Sequence, residues 1–271
     1  MSSLQCVIKN YDEDGLGLGN ILKCLISSLR INDDTVIMCH PEYIYGTYDT
    51  ILDSRFIYTD TATKWCEKVS TCRLLLFKHE EQIQQNIPSD ERYFGGLGNP
   101  LFHSLFSFSH QIDWNYDPSK IHPAVQYSFF NALDKIIFLP IIHDEVAAFL
   151  SSVQQPFLGV SVRTWKASHE SNLNRPYESD TYMKMICDVS AEHQLNQIVL
   201  SIDNEEFLEP YVTLPNVIVI RKPVHFNALQ YAAFKMLVLS HSAHFIGTRT
   251  STFTELVFWF SHHKTCVHTV F

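Results

Sequence analysis

A chain of 271 residues has room for one large domain or two compact ones, at roughly 100 to 200 residues each. Hydrophobic residues make up 46%, with 19 Phe and 12 Tyr, and charged residues only 18%, which argues against a disordered chain and predicts order nearly throughout. A net charge of −9 argues against nucleic acid as the main partner, because phosphate backbones need a basic surface, yet it permits a local basic pocket for a small anion.

Residues 4–10, LQCVIKN, have strand character and are followed by the loop YDEDGLGLGN. In ILKCLISSLRI, the apolar residues Ile21, Leu22, Leu25, Ile26 and Leu29 recur at helical spacing, and after the turn signal Asn32-Asp33-Asp34 the run TVIMC starts a second strand. This βαβ opening implies a parallel sheet flanked by helices. In the middle of the chain RLLLF (73–77) is strand-like, whereas the segment from Phe94 to Pro118 mixes glycine, proline and aromatic residues without a period. HPAVQYSFFNALDKIIFLPIIHDEVAAFLSSVQQ is expected to be helical, interrupted at Pro140, and to connect two halves with a boundary at 150/151.

From Pro156 the alternation is regular. FLGVSVR, QIVLSI, NVIVI, HFIG and TCVHTV are strands. SDTYMKMICDVSAEH, capped by Ser179, FNALQYAAFKMLVLS and STFTELVFWF are the helices between them. In such doubly wound sheets ligands bind beyond the carboxyl ends of the strands. The residues there are Arg163 after GVSV, Asp203 after IVLSI, and Thr248 to Phe253 after HFIG. A guanidinium at a strand end binds a diphosphate bidentately, or forms a surface ion pair. Hydroxyl residues opening a helix beside Gly247 present backbone N–H groups to an anion, or simply cap the helix. Asp203 accepts hydrogen bonds from a ribose or a base, or caps the short helix that follows.

The glycine loop does not fit a dinucleotide fingerprint. Counting G-x-G-x-x-G from Gly15 puts Asn20 at the third glycine, and counting from Gly17 puts Leu22 there. Asp12-Glu13-Asp14 is a D-x-D, but no carboxylate or histidine cluster completes a metal site around it, and the 14 histidines show no zinc-type spacing. The expectation is therefore no metal and no resident cofactor. Seven cysteines without a C-x-x-C pair, no signal peptide and no apolar run near ~18 residues predict a cytoplasmic chain without a membrane span.

Together, four segments carry a family likeness. GLGLGNILKCLISSLRI resembles the G-x-G-N loop and first helix of the fucosyltransferase superfamily, which includes the α1,2-, α1,6- and protein O-fucosyltransferases. GVSVRTWK is similar to its G-V-H-[IV]-R motif, VLSIDNEE to its S-D segment, and HFIGTRTSTFTELVFW to its last motif, a strand followed by G-x-x-x-S-[ST]-F. The resemblance implies an α/β GT-B architecture of two Rossmann-like domains with parallel sheets facing across a cleft. Residues 1–150 would form the acceptor side and 151–271 the nucleotide-sugar-binding domain.

The implied activity is inverting, metal-independent transfer of fucose or a related sugar from a nucleotide diphosphate to a hydroxyl of an oligosaccharide or glycoprotein. Arg163 would neutralise the leaving diphosphate; Thr248, Ser251, Thr252 and Phe253 would hold phosphate and flank the nucleotide; Asp203 would recognise the base. Gly17, Gly19 and Asn20 would line the cleft from the N-terminal side, and Asp14 is the candidate general base. The family motif usually has His two residues before the Arg, where it helps read guanine; here that residue is Ser161. A GDP-sugar and a UDP-sugar such as UDP-xylose both stay open as donors. More distant alternatives are an NAD-dependent oxidoreductase and a non-catalytic glycan- or nucleotide-binding module.

Overall fold

The computed structural model describes residues 7–9, 18–19, 22, 26, 37–39, 57–59, 116–121, 123–164, 177–249 and 251–270. Strands β1 (Val7–Lys9), β2 (Ile37–Cys39) and β3 (Ile57–Thr59) form a parallel three-stranded sheet in that order. Leu18, Gly19, Leu22 and Ile26 between β1 and β2 are helical, as the βαβ reading requires. The third strand is not legible in the sequence, because its three residues are too short a run to show alternation. The strand-like RLLLF at 73–77 lies outside the described residues.

Two helices follow, α1 (Pro123–Leu133) and α2 (Pro140–Ser151). Pro140 does not bend a continuous helix. It stands at the first position of α2, where its missing N–H has no intrahelical acceptor to lose.

The second sheet has five parallel strands: β4 (Leu158–Val162), β5 (Ile198–Ile202), β6 (Val217–Val219), β7 (His244–Thr248) and β8 (Cys266–Val270), ordered β6-β5-β4-β7-β8. The chain starts at the centre, winds outward through β5 and β6, then crosses to β7 and β8 on the other side. The helices between the strands are α3 (Ser179–Glu192), the short α4 (Glu209–Val212), α5 (Ala228–Leu239) and α6 (Thr252–Phe260). Ser179 is the first residue of α3 rather than its cap. Glu178 holds the cap position with no side-chain cap bond. In α5 the cap is complete: Asn227 accepts from Gln230 N–H at 2.8 Å and Gln230 answers to the Asn227 N–H at 2.9 Å.

Because strand side chains alternate, the sheet feeds a separate core on each face. Leu158, Val160, Val162, Leu200 and Ile246 pack with Tyr182, Ile186 and Val189 of α3. Phe157, Val199 and Phe245 join α1, α2, α5 and α6 on the other face, and Leu18, Leu22 and Ile26 belong to that same cluster. Leu22 is fully buried, worth about 1.5–3 kcal/mol by transfer alone. Gly159 and Gly247 make room for the flanking layer. A Cβ on Gly159 would stand 2.9 Å from the Ser242 hydroxyl, and one on Gly247 would fall on the Thr254 hydroxyl. Among the described residues, no helix is long and apolar enough to cross a membrane.

Candidate active site

The switch point of a doubly wound sheet lies between the first strand and the strand reached after the crossing, here β4 and β7. Arg163 immediately follows β4, and Thr248 ends β7, which pairs with β4 in parallel. A buried hydroxyl pair ties these two strand ends together. Tyr182, in the first turns of α3, stands 2.9 Å from Thr248 Oγ1 through its phenol oxygen, which also accepts from the Arg163 N–H at 3.4 Å. Desolvation raises the Tyr182 pKa, so the phenol stays neutral and available as a donor.

Beyond Thr248 the chain turns into α6. Ser251 caps the helix: its Oγ accepts from the Phe253 N–H at 3.2 Å, and its carbonyl accepts from Glu255 N–H. A hydroxyl that accepts in this way still has its own hydrogen to donate. Capping and anion binding are thus compatible at this serine.

Asp203, at the end of β5, does not cap the short helical turn at Glu205–Phe207. That cap is Asn204, whose Oδ1 accepts from Glu206 N–H at 3.0 Å. The Asp203 carboxylate instead accepts from the Thr164 N–H at 3.0 Å and the Thr164 hydroxyl at 2.7 Å, which joins the ends of β4 and β5. Behind it on α5, burial holds the Lys235 ammonium below its ordinary pKa while the negative field of Asp203 pulls it upward; the Nζ lies 4.5 Å from the Tyr231 ring centroid. Ser161, half-buried on β4, stands in register with buried Ser201 of β5.

From the N-terminal side, Gly19 arrives against α6. A Cβ there would fall on the Thr252 hydroxyl and stand 3.0 Å from the Thr252 carbonyl carbon. The glycine at 19 is needed for this close approach of helix to helix. Asp14, Gly17 and Asn20 lie outside the described residues. Arg163, Thr248, Ser251, Thr252 and Phe253 therefore gather at the switch point with Gly19 against them, and Asp203 is one strand away.

Two residues, Tyr182 and Tyr116, join the set that strand-end reasoning alone did not select, and Thr164, which stands at a strand end beside Arg163, gains a partner there. Tyr182 resembles any core aromatic of an amphipathic helix. Thr164 follows the strand but shows its role only through Asp203. Tyr116 comes from the aperiodic middle of the chain, and its hydroxyl donates to the Arg249 carbonyl at 3.4 Å.

No protein-family model and no curated protein matches the chain. Its fold is nevertheless that of the GT-B fucosyltransferases. The fucosyltransferase NodZ from Bradyrhizobium superposes with a TM-score of 0.56 at 13% identity, over 95% of this chain and 92% of that one. NodZ alpha-1,6-fucosyltransferase soaked with GDP-fucose gives 0.54 at 12% identity, over 94% and 92%. POFUT1 in complex with GDP-fucose gives 0.53 at 11%, over 100% and 98%.

Proposed function

We propose that this chain is a glycosyltransferase that moves fucose from GDP-fucose to a hydroxyl of an oligosaccharide or glycoprotein, with inversion and without a metal at the donor diphosphate. One observation carries the reading: Arg163 and the Ser251-capped N-terminus of α6 follow β4 and β7 at the switch point, where Tyr182 ties the two strand ends together through the Arg163 N–H and Thr248 Oγ1. The likeness of the fold to structures bearing GDP or GDP-fucose supports the choice of nucleotide and sugar. A UDP-xylose donor gains no support from these neighbours.

In this reading residues 151–271 bind the nucleotide sugar and residues 1–150 supply the acceptor side. The Arg163 guanidinium and the first amides of α6, with Ser251 and Thr252, stabilise the charge that develops on the diphosphate as the glycosidic bond breaks. Preorganised donors of this kind commonly supply the largest share of a rate enhancement. Phe253 flanks the nucleotide, while Asp203 and Ser161 face the base from β5 and β4. By the family resemblance Gly17, Gly19 and Asn20 are assigned to the sugar side of the site. Asp14 takes the acceptor proton.

The test combines binding and turnover. GDP is expected to raise the melting temperature more than UDP, CDP or dTDP. Arg163→Ala is expected to cut transfer from GDP-fucose by about 10²–10³. Full transfer by that variant would sink the diphosphate role, and a larger shift with UDP would sink the donor assignment.

A further inference from the structure

The other end of the layer formed by α3 and the sheet carries a second cluster. His244 opens β7 and His268 lies on the edge strand β8. His244 alternates with Ile246, and His268 with Val270, both of which belong to the core beneath α3, so the two imidazoles share that face. Helix α3 runs against the strand direction: Tyr182 near its start meets Thr248 at the end of β7, and His193 at its C-cap stacks on His244 at the start. The position of His193 is fixed by a Schellman turn in which Leu195 N–H returns to the Ser190 carbonyl at 2.9 Å, with Gln194 at φ 53°. Four residue steps along β7 separate His244 from Thr248, roughly 13 Å of sheet, which places this cluster outside the donor site.

The three rings converge. His244 Nδ1 and His268 Nε2 are 3.1 Å apart, and a contact that short requires one nitrogen to keep its lone pair. The His193 and His244 rings stack at 3.8 Å with 21° between their planes. One ring nitrogen from each of the three lies within 4.8 Å of the others. Nitrogen ligands at ~2.0–2.1 Å on a tetrahedral zinc stand about 3.3 Å apart. The His244 and His268 pair already has nearly that spacing, and the third ring can close by side-chain rotation, since the His193 side chain is 31% exposed at the helix end. Glu192, 3.8 Å from His193 Nε2, offers a carboxylate that can orient an imidazole.

We propose that His193, His244 and His268 bind a divalent ion of the zinc type through three imidazole nitrogens, with the fourth position open to water. The ion clips the C-terminus of α3 to β7 and to the edge strand β8. It takes no part in sugar transfer. Local sequence motifs miss the site because its ligands sit on three separate elements.

The full chain, purified without a histidine tag and stripped of metal, is titrated with Zn²⁺ by calorimetry and, in parallel, with Co²⁺ by visible absorption. The expected result is one Zn²⁺ per chain, a melting temperature raised by several degrees, and a tetrahedral Co²⁺ spectrum. His193→Asn, a change to a partly exposed side chain at a helix end, is expected to weaken Zn²⁺ at least tenfold and abolish that spectrum. His225→Asn, an exposed histidine elsewhere, serves as the control and is expected to change neither. A wild-type chain that takes up no Zn²⁺, or a His193→Asn chain that loses less than tenfold, overturns the proposal. GDP binding is measured on the same samples, so failure here is distinguishable from failure of the transferase reading.

Discussion

In the proposed site Arg163 supplies the charge, and its backbone meets a neighbour that carries none. The phenol of Tyr182 accepts from the Arg163 N–H and pairs with Thr248 Oγ1, joining two strands that the chain visits far apart. In Tyr182→Phe, Thr248, only 8% exposed, loses that partner. Stability is expected to fall by about 1–3 kcal/mol, read by urea denaturation with an unchanged m-value, and the KM for donor to rise. A variant as stable as the parent would show that the hydroxyl pair holds nothing. Gly19 is constrained from the other side, since a methyl group there meets both the hydroxyl and the backbone of Thr252. The buried anchors Leu18 and Leu22 prevent the helix from backing away. Gly19→Ala is therefore expected to cost about 1–3 kcal/mol by overpacking. Thr252→Ala in the same chain removes the hydroxyl from the clash, so a double-mutant cycle should show favourable coupling. Strict additivity would mean that the two residues do not touch.

At the scale of elements, the second sheet was legible because its strands are short apolar runs separated by amphipathic helices, and the two candidate anion sites followed from knowing where such strands end. Legibility failed where structure depends on distant partners. The Thr164 and Asp203 pair spans 39 residues and the Tyr182 and Thr248 pair 66, and no local pattern announces either. From sequence Asp203 can either cap or bind, and the capping bond belongs to Asn204, one residue later. The end of α3 gives a test at this scale. Gln194 occupies the left-handed region at φ 53°, where a side chain costs roughly 1 kcal/mol and glycine has no such penalty. Gln194→Gly is expected to raise stability by up to about 0.5 kcal/mol, because removal of the strain exceeds the added backbone entropy. A loss of stability on chemical denaturation would mean that the Gln194 side chain makes a contact worth more than the strain.

For the whole molecule, acid sensitivity follows from where the aromatic core has enclosed imidazoles. His263 sits against the rings of Phe130, Phe258 and Trp259, with centroids 4.8, 4.4 and 5.1 Å away. Burial, reinforced by the charge of neighbouring His262, pushes its pKa from 6.5 down to about 4. Burial and Lys264 lower His241 in the same direction. The sign follows from proton counts. Between about pH 6.5 and 4 the unfolded chain holds a proton on His263 that the folded chain does not, so unfolding takes up a proton and stability falls as pH falls. The contribution is complete above the unfolded value, declines by up to about 1.4 kcal/mol per pH unit through that window, and levels off below it. His263 also has φ 61°, a backbone conformation that asparagine adopts readily. In His263→Asn, urea denaturation at pH 7, 6 and 5 should show a dependence shallower than wild type by close to one proton. Parallel curves for the two proteins would place the acid-sensitive group elsewhere in the fold.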